Sequence, residues 1–359
     1  MSEKIIKERL RKLRSKLKQS NTTAFIITNS ANVGYMTGFH GEDSWVLVTP
    51  RKSCLITDSR YTEQAEEEAV GCKVVERRGP IFLTAGRIIT GLKGIKSVAI
   101  EDSTTVAQFK TVRNTLKVKL ITTSGIVESL RLTKHPAEIT AVKKAIAIAI
   151  KAFKMTIPLL KPGITENETA SRLDLYIHRL GATSSFPAIV AFGANASRAH
   201  HFPGSRKLKP NDTVLIDWGV RYKNYCSDMT RCLVLNSARA FYRKVYEAVF
   251  QAQQAAIKAV RAGVKIEAVD KAAKDVLRGY DLPLYGHGTG HGLGLDVHEQ
   301  PIVAHSGKGR LQSGQIITIE PGVYIPGRLG IRIEDDVLVT KDGGKILSTG
   351  LKMPEVMVL

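Results

Sequence analysis

The chain has 359 residues, too many for one ordinary domain, and its 43% hydrophobic content is enough to bury a sizeable core. Its 53 Lys and Arg against 33 Asp and Glu give a formal charge of +20. These charges are spread along the chain with no RNP motif, zinc-finger spacing or low-complexity basic tail, so no specific nucleic-acid partner is expected. No run of about 18 apolar residues occurs, so no membrane partner is expected either.

The first twenty residues are basic and lack the apolar stretch of a signal peptide. Ile6, Leu10, Leu13 and Leu17 recur at helical spacing and predict an amphipathic helix. From residue 24 to 60, AFIIT, SWVLVTP and SCLITDS read as strands separated by turns. YTEQAEEEA then reads as helix, KVVE and SVAIED as further strands, and Ala85 to Leu92 as a helix between those two. This alternation predicts an α/β domain over residues 1–128, leaving 129–359 as a second domain.

The second domain opens with a long helix after His135-Pro136, with proline at its first position. The turn Lys161-Pro162-Gly163 leads to another helix, whose start carries the capping box Thr165…Glu168. The plan recurs about 100 residues later: a helix ending near Val260, the turn Arg261-Ala262-Gly263, and a helix over VDKAAKDVL. Apolar strands follow each helix pair, which predicts two related halves.

Those strands carry acids. TVLIDWGV (213–220) and YCSDMTRCLVL (225–235) are joined by RYKN, short enough for a hairpin. A turn centred between Tyr222 and Lys223 would set Asp217 directly opposite Asp228, with Cβ atoms about 5 Å apart. TIEPGVYI and IRIEDDVLV meet around Pro326-Gly327, and a turn centred on Gly327 would set Glu320 opposite Glu334. Burying four carboxylates uncompensated would cost many kcal/mol. Divalent cations would offset that charge, and the histidine-rich GHGTGHGLGLDVHEQP (286–301) supplies imidazoles of the kind that complete such a site.

Asp217, Asp228, a histidine of GHGTGHG, Glu320 in TIEPG and Glu334 in RIED together resemble the five-ligand pattern of the pita-bread dinuclear metallopeptidases. That family includes aminopeptidase P, proline dipeptidase and methionine aminopeptidase. The resemblance runs nearly the length of the chain, since NVGYMTGF (32–39) and LITDSRY (55–61) look like the amino-terminal domain of the aminopeptidase P and prolidase branch. It implies an α/β amino-terminal domain followed by an α+β carboxy-terminal pita-bread domain with pseudo-twofold halves. It implies His291 as the ligand, His287 as a loop residue packing beside the site, and two divalent ions, Mn with Co or Zn as alternatives. Glu320 is implied as the proton shuttle as well as a ligand, His200 and His298 as substrate-contacting catalytic histidines, and Arg332 as support for the ligands. His200 is chosen over His201 because Pro203, Arg206 and Leu208 fall into the family's register; Arg198-Ala199 departs from the apolar residue and proline usual before it.

The implied activity is release of the first residue from short peptides with proline in second position, as in aminopeptidase P. The branch alternative is an Xaa-Pro dipeptidase, which must neutralise a free carboxylate behind the proline; the family's dipeptidases tend to carry arginine where Ile302 follows Pro301 here. A catalytically dead binding module is the non-enzyme alternative, and such modules lose ligands that this chain keeps. The resemblance also implies a homodimer. Cys54, Cys72, Cys226 and Cys232 form no CxxC pair or framework and read as reduced thiols of a cytoplasmic protein.

Overall fold

The computed structural model describes residues 2–20, 22–351 and 354–359. The chain divides into two compact units, Met1–Arg131 and Leu132–Leu359.

In the first unit the helix Glu3–Gln19 buries Ile6, Leu10, Leu13 and Leu17, one stripe at helical spacing. Burying side chains of this kind contributes about 1.5–3 kcal/mol each. The sheet has six strands, in the order Lys73–Glu76, Ser53–Thr57, Trp45–Val48, Ala24–Ile27, Ser97–Glu101 and Lys119–Thr123. Trp45–Val48 runs antiparallel to both its neighbours and the remaining pairings are parallel. One face packs Ile26, Leu47, Ile56, Val98 and Ile100 against Ala85 and Ile89 of the helix Ile81–Thr90. One stretch departs from the sequence reading. Residues 30–37, read as a turn, form the helix Ser30–Thr37, capped by the Asn29 side chain, which accepts from Asn32 N. Glu101, buried at the end of its strand, accepts from Thr28 N and Asn29 N (both 2.7 Å) and from Asn32 Nδ2 (2.6 Å). That long-range carboxylate fixes the helix, and local periodicity does not report it.

The second unit repeats itself. Helices Pro136–Thr156 and Glu166–Arg179 are followed by a four-stranded sheet, and helices Ala240–Ala259 and Ile266–Gly279 by a five-stranded one. Gly163 and Gly263 both take left-handed φ, 100° and 87°, where a side chain would be strained. Gly163 N donates to Leu208 O (2.9 Å) and Gly263 N to Leu311 O (2.8 Å); Leu208 N returns to Ile164 O and Leu311 N to Val264 O. The same hydrogen-bond pattern in both places makes the two halves related in space as well as in order. Among the described residues, no helix is long and apolar enough to cross a membrane.

The hairpin registers decide where the acids lie. In the first, Lys223 and Asn224 both have positive φ (46° and 66°), giving a two-residue turn that pairs Tyr222 with Tyr225. The turn therefore centres one residue later than expected, and Asp217 faces Thr230 rather than Asp228. Asp228 sits two residues from Thr230, so the alternation of strand side chains still puts it on the Asp217 face. In the second, Ile325 pairs with Leu329 around Gly327, Gly322 with Arg332, and Ile319 with Asp335. Glu320 consequently stands opposite Glu334.

Candidate metal centre

Asp217, Asp228, His291, Glu320 and Glu334 line one cavity of about 420 Å³ in the second unit. His291 Nε2 lies 3.4 Å from Glu320 Oε1 and 3.6 Å from Asp228 Oδ2. One ligand-type atom each from Asp228, His291 and Glu334 falls within 4.8 Å of the others, and all three residues are buried. The His291 ring contacts Gly292 O through Nδ1 at 3.1 Å. A carbonyl only accepts, so Nδ1 carries the proton and Nε2 presents its lone pair to the acids. The strand Gly290–Gly292 is tightly enclosed: a Cβ at Gly290 would come 1.9 Å from Thr318 O, and one at Gly292 would come 2.1 Å from Gln300 O.

Each acid has a distinct setting. Asp217 Oδ2 accepts from Arg332 Nη2 at 2.5 Å. Glu334 Oε2 accepts from Thr230 Oγ1 at 2.7 Å, and Glu320 Oε1 from Thr318 Oγ1 at 3.3 Å. Asp217 Oδ1 and Asp228 Oδ1 are buried without a hydrogen-bond partner. A buried carboxylate oxygen left unpaired is costly, and two of them lining the same cavity as the His291 imidazole fit a divalent cation with mixed oxygen and nitrogen ligation. Without a cation the acids crowd one another. The Asp228 and Glu334 carboxyls are held well above the ordinary range, first by burial and then by the neighbouring acids. Burial, partly offset by Arg332 and reinforced by Asp217, pushes Glu320 up to about 7.

The supporting residues tie the two hairpins together. Arg332 donates Nε to Thr230 Oγ1 (3.0 Å) and Nη1 to Tyr324 OH (2.7 Å) and Ala199 O (3.3 Å). Arg231, 2% exposed, donates Nη1 to Glu334 O (2.5 Å) and Nη2 to Asp335 Oδ1 (2.6 Å). Asp335 is completed by Gln253 and Ser348.

His200 and His298 line the same cavity and are exposed to it, the His298 ring 4.4 Å from that of His291. His201 also lines the cavity but is buried, with its Nε2 donating to the buried Glu166 Oε2 at 2.9 Å. His287 belongs to the cavity wall, where its Nε2 lies 3.0 Å from Tyr324 OH and burial pulls its pKa down to about 4. The symmetry of GHGTGHG, with one glycine-flanked histidine after another, was the sequence signal for this second imidazole. Thr230 and Glu166 carried no such signal, because their partners are distant in the chain. Burial pushes the Cys226 and Cys232 thiols up to about 12 and 11, so neither offers a thiolate near the site. A larger cleft of about 910 Å³ in the first unit is lined by Lys7, Arg14, Arg51, Lys52 and Lys73, a basic surface without imidazoles among its lining residues.

Residues 140–341 match metallopeptidase family M24, and residues 9–133 match the creatinase/prolidase N-terminal domain. The uncharacterized peptidase YqhT of Bacillus subtilis is 34% identical over 358 residues, covering 98% of this chain and 100% of that protein. The solved structure of an Xaa-Pro dipeptidase from Bacillus anthracis superposes with TM-score 0.95 at 33% identity, covering 99% of this chain and 100% of the other. That of an X-Pro aminopeptidase from Thermotoga maritima superposes with TM-score 0.88 at 32% identity, covering 96% and 100%. The chain belongs to metallopeptidase family M24, with a creatinase-like amino-terminal domain and a pita-bread carboxy-terminal domain.

Proposed function

We propose that this metallopeptidase is an exopeptidase cleaving the Xaa-Pro bond at the amino terminus of peptides that continue beyond the proline. Asp217, Asp228, His291, Glu320 and Glu334 would hold two divalent ions, Mn with Co or Zn as alternatives. When bound, the ions supply Lewis acidity and make water a stronger acid at neutral pH. Glu320 accepts the proton of the attacking water at its carboxylate and passes it to the leaving proline nitrogen. His200 and His298 donate hydrogen bonds to the scissile carbonyl as charge develops on its oxygen. Arg332 fixes the Asp217 carboxylate, and Thr230 couples Arg332 to Glu334.

The observation that carries the aminopeptidase reading is the charge lining the cavity. A dipeptidase must neutralise a free carboxylate directly behind the proline. Among the described residues that line the cavity, Arg332 is the one guanidinium and there is no lysine. Arg332 is already engaged by Asp217, Tyr324 and Ala199. The likeness to a solved Xaa-Pro dipeptidase favours the second reading, a dipeptidase. The test is hydrolysis of Ala-Pro and Ala-Pro-Ala by the full chain with and without added Mn. Metal-dependent release of alanine from the tripeptide, with little from the dipeptide, is expected; cleavage of the dipeptide alone would make it a dipeptidase. No cleavage of either, with salt-sensitive binding to nucleic acid, would leave a binding module, against which the complete set of five residues argues. The four free cysteines fit a cytoplasmic setting, and a homodimer is part of the same reading.

A further inference from the structure

Phe202 is 84% exposed, although it lines the cavity that holds the five acid and imidazole ligands. Its backbone is not loose. Glu166, fully buried at the first turn of the helix Glu166–Arg179, accepts from Phe192 N (2.8 Å), Asn195 Nδ2 (2.9 Å), His201 Nε2 (2.9 Å) and Gly204 N (3.0 Å). Residues on both sides of Phe202 are therefore fastened to one carboxylate, and the ring is held out at the mouth of the cavity. Phe186, Pro203 and Ile302, the last 42% exposed, extend the apolar surface there. A rigidly held, solvent-facing aromatic beside a reaction centre is a surface waiting for an apolar partner.

The partner follows from the geometry of an exopeptidase, and so the inference rests on the function proposed above. Only one residue precedes the scissile bond, and the proline lies directly after it. Whatever reaches the open edge of the cavity is therefore the peptide beyond the proline. We infer that Phe202 is a specificity-determining residue: its ring receives the side chain of the third residue of the peptide and favours an apolar one.

The test compares kcat/KM for Ala-Pro-Leu and Ala-Pro-Gly in the Mn-loaded full chain, in the wild type and in Phe202→Ala and Phe202→Leu. The wild type is expected to prefer the leucine peptide about tenfold, the effect of covering one aliphatic side chain. Phe202→Ala is expected to bring the ratio close to one, and Phe202→Leu to restore part of it. A wild-type ratio near one, or the wild-type ratio retained in Phe202→Ala, overturns the inference while the peptidase reading stands. Failure of the metal-loaded wild type to cleave either peptide overturns both.

Discussion

The two acid-bearing hairpins of the second unit follow one plan and differ at their turns. The first closes through Lys223 and Asn224, both left-handed, and sets Asp217 opposite Thr230. The second closes around Gly327 and sets Glu320 opposite Glu334. The first pair of acids keeps two buried oxygens without partners, Asp217 Oδ1 and Asp228 Oδ1, whereas Glu334 and Glu320 each accept from a threonine hydroxyl. Two registers thus deliver four carboxylates to one cavity. The face on which a strand side chain lies is set by odd or even position, so a turn displaced by one residue moves the pairing partner by two and leaves the face unchanged.

The strongest way to break the equivalence of the hairpins is to remove one acid from each. Asp228→Asn and Glu334→Gln are both expected to lower kcat/KM on Ala-Pro-Ala by about 10³-fold or more, since each deletes several kcal/mol of charge stabilisation. Metal content per chain, measured on the same preparations, should fall with it. A large loss in one variant and a small loss in the other would mean that only one hairpin serves the reaction.

A second, smaller effect separates repulsion from ligation. In metal-free protein the Glu320 carboxyl is raised from 4.5 to about 7, chiefly by burial. A group whose pKa is higher when folded contributes stability below its unfolded value and loses that contribution as pH rises through the folded value. Metal-free protein should therefore lose stability from this group as pH rises from 4.5 to about 8. Denaturant titrations across that range should show the decline, and saturating Mn should flatten it. A metal-free chain whose stability rose with pH over the same interval would contradict a Glu320 carboxyl raised by its burial.

The smallest expected effect sharpens the difference between the turns. Replacing Lys223-Asn224 by Asn-Gly suits a two-residue turn with both φ positive and should raise stability by up to about 1 kcal/mol. The midpoint of urea unfolding measures it, and kcat/KM should not move.

Much of the site was legible because the strands are apolar runs interrupted by single acids, and an acid in such a run stands out. The offset in the first hairpin was not legible, since RYKN contains no glycine or proline to mark its centre and only the left-handed conformations of Lys223 and Asn224 fix it. The helix Ser30–Thr37 was hidden for a related reason: it is held by Glu101, more than sixty positions away. Glu166 gave no signal in the sequence, because its partners lie 26 to 38 positions downstream. His287, read as a loop residue packing beside the site, lies in the cavity wall with its ring against Tyr324.

The enclosure of the strand around His291 limits what mutation can explore there. Carbonyl oxygens of Thr318 and Gln300 fill the space that side chains at 290 and 292 would need. Neither flanking position can therefore take over the imidazole by a neighbouring substitution, and the strand cannot slide by one residue to present another ligand. Variation at this point of the chain is confined to exchanging the histidine itself, so a lineage that abandoned the chemistry would be expected to keep both glycines long after losing the ring between them.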